Sequence, residues 1–308
     1  MVRQSAFEKT GNPMLKGGLH CHTTRSDGEG DPAEVIRLHD LKGYDFLALT
    51  DHRIYNYKNF APETGVLIVP GMEIDSLIGT QGTYTRHTVS IGPSPDDGNG
   101  FRQDQFFERL ILPEQDEYQR VILDRLHENN NLTFYCHPEW SGTVSRDFDR
   151  LKGNFAMEIW NGSCVFENDM DADAAYWDEL LRQGNRIYGV AVDDGHPMHA
   201  HCNGWVRVNA RKDLNSILAA LNAGSFYSSC GPEIYDFRID DEHNAVIECS
   251  PAEKIRFHYG FSPTHIAFAE SAPLERAAFP VPEYFTYVRA SVVDKKGLKA
   301  WTNPIFLK

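Results

Sequence analysis

Nowhere in the 308 residues is there an apolar run near the roughly 20 positions that a bilayer-spanning helix requires, so no transmembrane segment is expected. The N-terminal stretch MVRQSAFEKTGNPMLKGG has no continuous apolar core and no small-residue cleavage pattern, which points to a cytoplasmic protein. Cysteine is sparse: Cys21, Cys136, Cys164, Cys202, Cys230 and Cys249 are scattered with no C-x-x-C pair. That spacing suggests neither a disulfide framework nor a zinc knuckle, and reduced thiols fit it best. Clusters of Lys and Arg are missing too. With 30 basic against 44 acidic residues the formal net charge is −14, which repels nucleic-acid phosphates and makes duplex DNA a poor partner. No internal repeat or low-complexity segment is present.

Short apolar runs do occur, and from about residue 17 to 225 they alternate with amphipathic stretches, the pattern of a sheet wrapped by helices. Candidate strands cover 18–22, 46–50, 66–70, 87–91, 132–136, 155–160 and 187–192. A helix is predicted between the first two, with Asp31 as cap, Pro32 and Glu34 in the first turn, Gly43 after the last, and Val35, Leu38 and Leu41 facing inward. Further helices are expected over 117–128 and 213–224. After Gly231-Pro232 the pattern changes to alternating segments without a convincing helix, which predicts a small antiparallel β domain. The expected organisation is α/β, with a larger domain over 1–232 and a small β domain over 233–308.

Six segments place a side chain that can bind a metal at an end of an apolar run, more than a random scatter of 13 histidines would produce. In Gly18-Leu19-His20-Cys21-His22, strand alternation turns His20 and His22 to one side, and Asp27 follows on the next loop. Asp51 and His52 follow the run ending at Leu49; Asp51 could bind a metal or hold a histidine ring. Glu73 ends another run, where a buried carboxylate needs compensation and can bridge two ions with its two oxygens. His87 opens a run and His137 closes one. In the last cluster, i, i+2 spacing pairs Asp194, rather than Asp193, with His196.

Together these residues resemble the polymerase-and-histidinol-phosphatase (PHP) family of metal-dependent phosphoesterases, whose motifs are H-x-H-T-x-x-S-D-G, T-D-H, a bridging Glu, two spaced His and a closing D-x-H. The resemblance spans about residues 16–232. It implies a distorted (β/α)7 barrel with the site at the C-terminal ends of its strands. It also implies one ion held by His20, His22, Glu73 and Asp194, a second by Glu73, His87 and His137, and a third by Asp27, His52 and His196. The segment 223–233 and the tail 294–305 resemble one subgroup of this family that includes carbamate and carboxylic ester hydrolases.

The function expected on these grounds is hydrolysis of a small phosphate ester by a hydroxide bridging two or three divalent ions of zinc, manganese or iron, with Glu73, Asp194 and His196 as catalytic residues. Arg25, Arg53 and Arg86 lie beside proposed ligands and are candidate phosphate contacts. His199 and His201 are candidate acids for the leaving group. Hydrolysis of an ester or carbamate at the same centre, and metal binding without turnover, are the alternatives.

Overall fold

The computed structural model describes residues 5–7, 11, 13–79, 82, 84–94, 96, 100–144, 147, 152–261 and 264–308. The chain begins with β1 (Met14–Gly18), followed by α1 (Pro32–Leu41), β2 (Phe46–Leu47), β3 (Leu67–Ile68), β4 (Gly71–Ile78), β5 (Tyr84–Ile91) and β6 (Leu110–Leu112). Helix α2 (Gln115–Tyr118) runs through a π-helical turn (Gln119–Leu123) into α3 (Asp124–Glu128), and β7 (Leu132–Tyr135) and β8 (Ala156–Asn161) follow. Then come α4 (Gly162–Asn168), α5 (Asp173–Arg182), β9 (Tyr188–Val192), β10 (Trp205–Asn209), α6 (Leu214–Asn222) and β11 (Phe226–Ser229). Among the described residues no helix is long and apolar enough to cross a membrane.

Helix α1 forms as its sequence dictates. The Asp31 carboxylate accepts from the Ala33 amide at 2.9 Å, and Glu34 reaches back to the Asp31 amide at 3.2 Å, a reciprocal cap worth about 1 kcal/mol. Its inward face differs from the expected one: Val35, Ile36 and His39 are buried, while Leu41 is 83% exposed. His39 Nδ1 donates to the Val35 carbonyl at 2.7 Å, while its buried Nε2 has no hydrogen-bond partner and burial lowers the ring to about 4, so it takes this apolar position as a neutral imidazole.

Strands β6, β4, β5, β7, β8 and β9 make one six-stranded sheet, and β1, β2, β3, β10 and β11 belong to a larger one. Six of the seven expected strands are present with shifted limits; the first, expected over 18–22, shares only Gly18 with β1, and β4, β6, β10, β11, α4 and α5 were not foreseen. The mixed α/β class stands. The expected (β/α)7 barrel does not appear as a closed sheet among the described residues, because β4–β5, β5–β7 and β1–β10 are antiparallel and the two sheets share no ladder. Isolated one-residue bridges span the gap instead. Asp194 donates to the His20 carbonyl at 3.1 Å, His22 to that of Gly195 at 3.0 Å, and Glu73 to that of Thr50 at 3.1 Å. Gly17 stands opposite Phe46 in the β1–β2 pair, where a Cβ would fall 1.9 Å from the phenyl ring.

Both sheets contribute to one apolar core beneath these bonds, including Leu19, Phe46, Val89, Phe134, Val190 and Val206. Truncating a fully buried ring such as Phe134 to alanine costs about 3–5 kcal/mol. The remaining strands are β12 (Ile234–Ile239), β13 (Asn244–Ala252), β14 (Lys254–His258), β15 (His265–Phe268), β16 (Leu274–Pro280), β17 (Tyr287–Val293), β18 (Lys299–Thr302) and β19 (Ile305–Phe306). They pair antiparallel; β12, β13 and β16 form a separate sheet, while β18 joins β11 and extends the larger one.

Candidate metal centre

His20 and His22 lie just past the end of β1, on an extended segment held between Thr50 and Gly195, rather than inside a strand as expected. Cys21 between them turns away and donates its thiol to the Ala48 carbonyl, so both imidazoles reach the same side with Nε2 atoms 3.2 Å apart. The chain then turns sharply at Gly28, where a Cβ would sit 2.5 Å from the His22 carbonyl carbon. That turn carries Asp27, which lies 3.3 Å from His22 Nδ1, 3.4 Å from His52 Nε2 and 3.6 Å from His196 Nε2. Asp51 is spent on the same loop: its carboxylate accepts from the Thr23 amide and hydroxyl and from Ser26.

Glu73, on β4, is almost completely buried and touches five histidines. Its Oε2 lies 3.4 Å from His20 Nε2, 3.3 Å from His22 Nε2 and 3.0 Å from His52 Nδ1; its Oε1 lies 2.8 Å from His87 Nδ1 and 3.5 Å from His137 Nε2. Asp194 closes the other side, 3.2 Å from His20 Nε2 and 3.0 Å from His22 Nε2. The Asp194–His196 pairing arises differently from the expectation. Strand β9 ends at Val192, and Asp194 is swung inward by a left-handed φ of +51°, a conformation that costs energy in a non-glycine residue. His137 and Arg53 share this feature, with φ of +26° and +61°.

The donors fit divalent ions. Glu73 Oε2 and His52 Nδ1 are buried 3.0 Å apart, yet neither has a hydrogen-bond partner, which is how lone pairs stand when they converge on a cation. Their donor atoms cluster within 4.8 Å of one another in sets, among them His20, His22, Glu73 and Asp194; His22, Asp27, His52 and His196; and His52, Glu73 and His87. Burial opposes charge on His20 and Glu73, but neighbours of opposite sign prevail there, whereas at His87 burial prevails and lowers the imidazole's pKa. Asp194, Glu73 and Glu158 raise His20 to about 10 against desolvation, while His87, His20 and His52 hold Glu73 well below the usual carboxylate range.

The expected substrate contacts fare worse. Arg86 is fully buried beside Tyr118 and Tyr135 and donates to the Tyr135 hydroxyl, because it lies on the opposite face of β5 from His87. Arg53 is paired with Asp75, Arg25 is bound by Asp104 and Asn56, and His199 is exposed. A cavity of ≈180 Å³ opens on the cluster, and none of these four residues lines it. Its walls include Trp140, Ser163, Cys164 and Asn168, all unforeseen. His201 is buried, with neither ring nitrogen hydrogen bonded, and burial lowers it to about 3, so the imidazolium that would serve as the acid is not formed at neutral pH. Two buried carboxylates were also missed: Asp75, which shares a face of β4 with Glu73, and Glu158 on β8. A charged residue inside an otherwise apolar strand was the readable signal for both.

A second cluster has the outline of a nucleophilic triad: Ser291 Oγ lies 3.0 Å from His258 Nε2, and Asp178 lies 3.4 Å from Nδ1. Arg289 defeats it by donating to Nδ1 at 3.2 Å, and burial with the Arg289 charge lowers His258 to about 4. The neutral ring then carries its proton on Nε2 and has no lone pair for the serine proton.

No family model matches the chain. It is 37% identical over 65 residues to a 5'-3' exoribonuclease of Haemophilus influenzae, a match that covers 20% of this chain and 24% of that protein. The chain therefore spans about a quarter of that relative's length. Among solved structures it is similar to a two-domain protein from Bacteroides vulgatus described as containing a predicted PHP-like metal-dependent phosphoesterase, at 12% identity and a TM-score of 0.49, with 98% of this chain and 99% of that one covered. It is also similar to an amidohydrolase from Chromobacterium violaceum, at 17% identity and a TM-score of 0.43 over 68% of this chain and 96% of that one. At such distances neither likeness transfers an activity.

Proposed function

We propose that this chain is a metal-dependent hydrolase of the PHP type whose preferred substrate is a small phosphate ester. The observation that carries the reading is Glu73, one buried carboxylate whose two oxygens face five imidazoles. His20, His22, Asp27, His52, Glu73, His87, His137, Asp194 and His196 are the residues that would hold two or three zinc, manganese or iron ions. When bound, such ions supply Lewis acidity and an activated water. Glu73 and Asp194 would keep the cluster's charge balanced, and His196, stacked 4.2 Å from His22 at the cavity rim, would meet the substrate side of the centre. Trp140 would shield the opposite rim from water. Within this reading residues 1–232 form the catalytic unit, a distorted barrel, and residues 233–308 an accessory β unit.

A carbonyl substrate is the second reading, and one observation favours it: the described lining of the cavity carries no arginine or lysine to meet phosphate oxygens. Phosphate keeps precedence because several cations held together best match the charge concentrated on a phosphoryl group in its transition state. Measuring kcat/KM for p-nitrophenyl phosphate, bis-p-nitrophenyl phosphate and p-nitrophenyl acetate on manganese- and zinc-loaded protein tests the order. Metal-dependent esterase activity above both phosphate activities would reverse it.

A further inference from the structure

Strand β8 contributes none of the nine residues assigned to the metal centre, yet it carries a carboxylate with no exposure at all. Glu158 Oε1 accepts from His20 Nδ1 at 2.7 Å. Its Oε2 accepts from the His137 backbone amide and from Asn161 Nδ2, both at 2.8 Å. The same Asn161 Nδ2 donates to Asp194 Oδ2 at 3.1 Å. The amide's orientation is set from its other end, since Asn161 Oδ1 caps α4 by accepting from the Cys164 amide at 3.0 Å.

Residues three apart on a regular strand point to opposite faces. Here the β8–β9 register shifts between Glu158 and Trp160, and the extra residue returns Asn161 to the face of Glu158. The bulge therefore builds a two-residue brace directly behind the cluster.

We propose that Glu158 is a positioning residue for the metal centre, holding the His20 proton on Nδ1 so that Nε2 presents its lone pair to the ions, and tying His20, His137 and Asp194 into one unit through the His137 amide and Asn161. This rests on the metal-centre reading above. A carboxylate behind a ligating imidazole fixes the ring's tautomer and rotation and raises its donor strength. The His137 amide bond bears on geometry as well, because it anchors a residue whose φ of +26° would otherwise relax.

The test is the zinc dissociation constant of the full-length protein by chelator competition, for wild type, Glu158→Gln, Glu158→Asp and Glu167→Gln. Glu167 is an exposed carboxylate on α4 and serves as the control. Glutamine keeps the shape but loses the charge, and we expect zinc to bind about 10- to 100-fold more weakly with a normal melting transition. Aspartate keeps the charge at a shorter reach and should lose less; it also stands in if the glutamine variant fails to fold. Glu167→Gln should match wild type. In ¹⁵N-histidine spectra of zinc-loaded wild type, one ligand ring should show a protected Nδ1 proton that weakens in Glu158→Gln. Zinc affinity within twofold of wild type in both Glu158 variants overturns the positioning role alone. Failure of the wild-type protein to bind zinc overturns the metal-centre reading and the positioning role with it.

Discussion

Asp193 and Asp194 are consecutive, yet their carboxylates serve opposite layers. Asp194 Oδ1 lies 3.0 Å from His22 Nε2, whereas Asp193 accepts the backbone amides of Cys202, Asn203 and Gly204 at 2.6, 2.7 and 2.7 Å. Burial pushes Asp193 up to about 7 despite those three donors, so an asparagine imitates a form this carboxyl already approaches at neutral pH. We expect Asp193→Asn to keep kcat/KM within about tenfold of wild type while costing about 1–3 kcal/mol of stability. Glu73→Gln should lower activity by more than about a hundredfold, because it removes the charge shared by the facing imidazoles. Equal activity losses in the two variants would refute the division of roles.

Metal content follows from the donor sets. Elemental analysis of protein purified without chelator should find two to three transition-metal ions per chain, with activity lost on chelation and restored by manganese or zinc. Protein that holds no metal and takes none up would sink the reading.

Arg86 gives the reverse kind of prediction. Its guanidinium centre lies 5.0 Å from the Tyr135 ring and 5.7 Å from that of Tyr118, inside the core. Arg86→Met should leave KM for a phosphate ester within about twofold, while urea melts show a loss of about 2 kcal/mol from the broken hydrogen bond and ring contacts. A large rise in KM with unchanged stability would restore it as a substrate contact.

His258 links stability to pH away from the metal centre. Its folded-state pKa of about 4 lies below the unfolded value of about 6.5, so between those limits the unfolded chain binds a proton that the folded chain does not. Its contribution is complete above pH 6.5 and is lost as pH falls toward 4, on the order of 3 kcal/mol. Urea melts at pH 7.0 and 4.5 should show a smaller pH dependence in His258→Gln than in wild type. Identical slopes would mean that the ring's burial does not govern its titration.

The local sequence determined the helix start at Asp31, six of the seven apolar strands and the nine side chains that meet at the cluster, because capping, alternation and a polar residue ending an apolar run are short-range signals. It also singled out Asp194 over Asp193, though for a reason the structure replaced: a left-handed turn does what strand alternation was expected to do. Tertiary structure alone decided the rest. Arg25, Arg53 and Arg86 sit beside ligands in the chain, but a side chain follows the strongest partner in reach, and Asp104, Asp75 and Tyr135 approach from elsewhere in the sequence. Glu158 meets His20 across 138 positions, and no local pattern encodes a bond of that span. The sheets, too, pair by long-range contacts, so antiparallel β4–β5 and the backbone bonds between His20 and Asp194 and between Thr50 and Glu73 could be read only once the chain had closed on itself.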